Sequence, residues 1–148
     1  MKLDFDSYIK HMKDSREVMP TELYNFASNP MHYELNGAQS LHDAWVVSIA
    51  IEEVRDTNRP FNASLKICIK LLGQQHDRSL ILSYLDVKSY SFTGIKNDMN
   101  PNDTFHGDIL DHRVAINSDS FVHTLHARSG SIFKVVFGRF SYHEQRNT

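Results

Sequence analysis

The sequence predicts an α+β protein dominated by one antiparallel β-sheet system. Three observations lead there: a change in apolar period near residue 40, from about 3.6 to 2, a series of alternating apolar runs after it, and short turn-rich connections between those runs. Consecutive strands joined by short turns favour a meander of about six strands, curled into a sandwich or half-barrel. Two short N-terminal helices are expected to cover an edge or an open face. The 148 residues read as one domain, 1–148, with a helical segment over 1–39 and a sheet body over 40–148.

In "LDFDSYIKHMKD", Phe5, Tyr8, Ile9 and Met12 fall at i, i+3, i+4, i+7, one stripe of a helix, and Asp4 stands where an N-cap belongs. "MPTELYNFASNP" signals a second helix. Pro20 suits its first turn, Leu23, Tyr24 and Ala27 share a face, and Asn29-Pro30 ends it. Neither is long enough to hold in water without packing on something larger.

"SLHDAWVVSIAIEE" then opens the strand series, Trp45, Val47, Ile49 and Ile51 alternating with Val46, Ser48, Ala50 and Glu52. Leu65, Ile67, Ile69 and Leu71 alternate with Lys66, Cys68, Lys70 and Leu72, with "DTNRPFN" and "GQQHDR" as the flanking turns. "SLILSYLDVKSYSF" is long enough for one bent strand or two pieces. "DILDHRVAIN", "SFVHTLHAR" and "SIFKVVFGRFSYHE" follow, the last two joined at Ser129-Gly130. In the last run Phe133, Val135 and Phe137 give way to Phe140 and Tyr142, which sets apolar groups on both faces. One face is core, and the other is expected under the N-terminal helices rather than against a partner. Residues 93–107 are the longest stretch without periodicity, and a long loop in a compact domain is a place to look for function.

A formal net charge of −2 without a basic run gives no footprint for nucleic acid. The N-terminus carries acidic residues where a signal peptide needs an apolar core, and the run Ala44–Ile51 is too short to span a bilayer. With a single cysteine, Cys68, unable to form an internal disulfide, the expectation is a cytoplasmic protein away from membranes.

Nine histidines raise the question of metal. His123 and His126 are three apart, which on a strand places them on opposite faces. His123 is expected to face inward or edgeward as a packed residue and His126 to lie at the surface. At the exit of the long loop, His106, Asp108 and His112 are the candidates for a metal or small-ligand site, with His42 as a fourth contributor, because imidazole titrates near neutrality and a carboxylate fixes its tautomer. Their spacing matches no metal motif. No nucleophile elbow or phosphate-cradling loop is present, so no catalytic residue is assigned, no cofactor is expected, and an enzyme is the weaker reading.

"SLHDAWVVSIAIEE", "NASLKICIKLL", "RSLILSYLDVKSY" and "GSIFKVVFGRFSYHE" together resemble a diffuse set of small bacterial β-rich domains, some of which resemble the immunity proteins that neutralise polymorphic toxins. The likeness covers residues 40–142, omits the helical segment and brings no active site with it. It implies a non-enzymatic protein-binding domain, and self-association through a sheet face is compatible with that. Leu41, His42 and Asp43 have a structural account as a strand start: Leu41 anchors in the core while His42 and Asp43 tie down the backbone of the preceding turn.

Overall fold

The computed structural model describes residues 4–147. Helix α1 spans Phe5–Asp14, where the Asp4 side chain accepts the Ser7 N–H at 2.8 Å and Tyr8, Ile9 and Met12 are buried, as the apolar spacing requires. Helix α2 spans Thr21–Ala27; Pro20 stands at its N-cap position rather than inside the first turn, and Leu23, Phe26 and Ala27 face the core. A 3-10 turn, Pro30–His32, follows, capped by Asn29. No helix among the described residues is long and apolar enough to cross a membrane.

Eight strands form two four-stranded antiparallel sheets. They are β1 Trp45–Asp56, β2 Arg59–Leu72, β3 Arg78–Leu85, β4 Ser89–Thr93, β5 Ile109–Asn117, β6 Ser120–Ala127, β7 Ile132–Phe137 and β8 Arg139–Arg146. One sheet has the order β1-β2-β3-β8 and the other β4-β7-β6-β5.

The fold class is as expected, but the count is eight strands rather than about six. The difference has one cause. The run from 78 to 93 bends at Asp86–Lys88 and the run from 132 to 146 bends at Gly138, and both pass from one sheet into the other. Because β3 pairs with β8 and β4 with β7, a single two-stranded ribbon links the sheets through a double corner. At this corner Gly138 N–H is shared between Leu85 O and Asp86 O at 3.2 and 3.1 Å, and Arg139 meets Asp86 at 2.6 Å. A Cβ at position 138 would stand 3.3 Å from the Asp86 Cβ, so the corner closes most easily with glycine.

The bend also shifts the phase of the alternation. Phe133, Val135 and Phe137 point into the core from odd positions of β7, whereas Phe140 and Tyr142 point inward from even positions of β8. The apparent two-faced strand is thus two one-faced strands. Phe26 of α2 packs on the Phe140 and Tyr142 rings at 5.1 and 5.0 Å, so the helical segment covers this surface.

β1 departs from a simple buried alternation. A bulge between Val46 and Ser48 breaks its register with β2, and Val47, Ile51 and Val54 stand exposed because β1 lies at the sheet's edge. The turn to β2 is only Thr57-Asn58, so residues expected in a longer loop belong to the strand. At the other edge, α1 attends to β5: the Val114 N–H donates to the Tyr8 hydroxyl at 2.9 Å. Buried residues of the helices and of both inner sheet faces form one apolar cluster.

Candidate functional site

The turn before β1 is built from Leu41 to Ala44, and the strand opens at Trp45 rather than at Ser40. Leu41 is fully buried and its N–H donates to His32 O at 3.0 Å; the Ala44 N–H returns to Leu41 O at 3.1 Å. Asp43 has φ 65°, a left-handed conformation that aspartate tolerates better than most residues. Its N–H donates to Ile109 O at 2.8 Å and the Ile109 N–H to Ala44 O at 3.0 Å, which stitches this turn to the start of β5. Other side chains complete the turn: the Ser40 hydroxyl accepts the His42 N–H, and Gln74 donates to His42 O. His42 Nδ1 lies 3.3 Å from Asp43 Oδ2 without hydrogen-bond alignment.

The four residues nominated for a ligand take part in separate arrangements. His106 Nδ1 lies 2.7 Å from Ser131 Oγ, with its ring against Phe105 and Phe133, and so fastens the long loop to the β6–β7 turn. Burial pulls its pKa below the ordinary value. Asp108 accepts the Trp45 indole N–H at 2.7 Å and borders an open cleft of about 420 Å³ with Met99, Asn100 and Arg128. His42 neighbours Asp43, as above. His112 is 2% exposed and belongs to a chain of histidines on the inner face. Among the described residues no hydrogen bond joins any two of the four, and no group of three or more His, Cys, Asp or Glu is placed to hold a metal ion.

The histidine chain is fully determined by its end groups. His112 Nε2 lies 2.9 Å from the His32 carbonyl, which can only accept, so this nitrogen carries the proton. In a neutral ring Nδ1 then accepts, and its partner at 3.0 Å, His123 Nε2, must donate. His123 Nδ1 is left to accept, and the Tyr84 hydroxyl donates to it at 2.6 Å. Each member is satisfied while both rings are neutral, and the order Tyr84, His123, His112, His32 carbonyl runs one way. Burial drives His112 down to about 4, offset in part by its bond to the His32 carbonyl, and takes His123 well below the usual range. Tyr33 stacks on His112 at 4.3 Å and 5°, and a second one-way chain runs from the Val114 N–H through the Tyr8 and Tyr33 hydroxyls to Ala27 O.

Comparison with protein-family profiles, with curated proteins and with solved structures gives no match.

The histidine chain ends beside a second cleft. His32 uses Nδ1 to reach Gln39 O at 2.9 Å, its ring stacks on Phe26 at 4.6 Å, and it borders a cleft of about 240 Å³ together with Glu22, Asn25, Phe26 and Tyr142. Behind the cleft the Tyr142 hydroxyl donates to Glu144 at 2.9 Å, and Arg78 holds the other oxygen of Glu144 at 2.9 Å. Burial alone would raise the Glu144 carboxyl, but hydrogen bonds from Arg78, Tyr142 and Gln39 keep it below its ordinary value. His123 is placed inward and His126 outward, as their strand positions demand. His32, Tyr84 and Phe26 carried no sequence signal of their own: what joins them is the pairing of elements far apart in the chain.

Proposed function

We propose that this is a non-enzymatic binding domain whose protein partner adds a strand to the free edge of β1. The observation that carries the reading is the contrast between β1 and the other sheet edges. β5 has its Val114 N–H met by Tyr8, β4 is only 5 residues long, and β8 lies beside α2. β1 runs for 12 residues, Trp45–Asp56, with neither proline nor lysine, and its register is broken only near its two ends, between Val46 and Ser48 and between Arg55 and Asp56. Long bare edges of this kind are templates for another chain.

Exposed apolar side chains flank that edge on the faces of the sheet that an added strand would extend. Val47, Ile51 and Val54 are exposed on β1, and Phe61 on the same hairpin is 94% exposed. Main-chain bonds would supply affinity and these side chains selectivity. A partner of this sort agrees with the immunity-type domains that the strand series resembles. A second copy pairing through β1 is the runner-up.

The test uses Ile51→Lys/Val54→Lys, which places charge on an edge that is already half in water. Wild-type protein from its native cells should hold a stoichiometric partner and show hydrogen-exchange protection over residues 48–54, and the variant should lose both. A bare wild-type monomer, or a partner retained by the variant, would sink the proposal. A dimer of wild-type chains that the lysines dissociate would identify the second copy.

A further inference from the structure

The cleft beside His32 lies apart from the β1 edge, and its chemistry is one-sided. The His32 Nδ1 must carry a proton to meet Gln39 O, so in the neutral ring Nε2 holds a lone pair. His32 is 5% exposed, and among the described residues nothing donates to Nε2. The Tyr142 hydroxyl gives its proton to Glu144 and so has none to offer the cleft. Glu22, in the first turn of α2, is exposed and forms no ion pair among the described residues. Phe26 and Tyr142 add aromatic surface, and only the Asn25 amide can donate.

Among the described residues no cationic side chain lines the cleft. Arg78 is held by Asp77 and Glu144, and Arg16 lies over Tyr24 at 5.6 Å. A concave site with a carboxylate, an unused ring-nitrogen lone pair and ring faces, and no positive side chain lining it, is complementary to a donor-rich cation. We propose that this cleft binds an organic cation, an alkylammonium or guanidinium group, between the Glu22 carboxylate and His32 Nε2 and against the Phe26 and Tyr142 rings. About 240 Å³ accommodates such a head with a short alkyl stem. Burial of His32 lowers its pKa and so keeps Nε2 free to accept.

Two sources share this chemistry: a free amine, or a lysine or arginine side chain of a polypeptide. The test titrates methylguanidinium chloride, n-butylammonium chloride and the blocked peptide acetyl-Gly-Arg-Gly-amide into the full chain, followed by amide NMR shifts of residues 22–26, His32 and Tyr142. Sodium chloride at matched ionic strength is the control. Saturable shifts confined to these residues, weakened at least about fivefold in Glu22→Gln with unchanged melting, support the site. Tighter binding of the peptide than of methylguanidinium identifies a polypeptide side chain, and the reverse order a free amine. Shifts that do not saturate, that sodium chloride reproduces, or that Glu22→Gln leaves unchanged would overturn it.

Discussion

Acidification should destabilise this protein well above the pH at which its carboxylates are protonated, and the cause is the buried histidine chain. His112 and His123 are neutral in the fold because burial depresses both, His112 to about 4 and His123 well below its ordinary value. Unfolded, each returns to about 6.5. A depressed histidine leaves the unfolded chain binding more protons once the pH drops below its unfolded value, so stability falls with falling pH between about 6.5 and the folded value. Between pH 7.5 and 5.0 this amounts to about 2 kcal/mol for His112, and His123 acts in the same direction. Even about 2 kcal/mol is a large part of the stability of an ordinary domain. His32, also lowered by burial, acts in the same direction. The carboxyls of Asp4, Asp77, Asp86 and Glu144 are depressed too, but their contribution is present above the carboxylate range and is lost only at lower pH. Urea unfolding at the two pH values measures the difference. His112→Gln keeps a donor for the His32 carbonyl and an acceptor for His123 Nε2 without a titrating group, and its pH-dependent loss should be smaller by about 2 kcal/mol. A wild-type unfolding free energy equal at pH 7.5 and 5.0 would refute the argument, as would a variant with the full wild-type dependence.

Three further outcomes follow from the geometry. Tyr8→Phe removes the acceptor of the Val114 N–H and the donor to Tyr33, and should cost about 1–3 kcal/mol in urea unfolding with the fold retained. Asp43→Val should cost about 1–2 kcal/mol because φ 65° is closed to a β-branched residue, while Asp43→Gly should be close to neutral; equal losses for both would locate the role in the carboxylate instead. Phe61→Ser should change the melting free energy by less than about 0.5 kcal/mol, since the ring is 94% exposed, and a larger loss would mean that the hairpin tip is packed.

Much of the architecture was legible because local rules and packing agree. The Asp4 cap and the spacing of Tyr8, Ile9 and Met12 mark α1, and the alternation of Ile67, Ile69 and Leu71 against lysines marks β2. The sheet change at Gly138 was harder to read, because a bent strand keeps its apolar content while its phase slips. The signal was present: Phe133, Val135 and Phe137 fall on odd positions and Phe140 and Tyr142 on even ones, with a glycine between. A phase slip at a glycine separates two one-faced strands from one two-faced strand, and here it also predicts a corner.

The histidines teach the complementary lesson. Their grouping depended on register, which local sequence specifies poorly. His106, Asp108 and His112 are near neighbours along the chain, yet each is satisfied by a different partner: Ser131, Trp45 and His123. His112 meets His123 because Val114 pairs with His123 and His112 with Leu125, which makes the two imidazoles diagonal neighbours on one inner face. His32 arrives from a 3-10 turn 80 residues earlier and offers a carbonyl, a group no sequence motif marks. A chain whose protons are all assigned by its terminal acceptor is a lock between the helical segment and the sheets. It accounts for three of the histidines without a ligand, and leaves the exposed chemistry of the molecule to the β1 edge and to the cleft on the far side of the His32 ring.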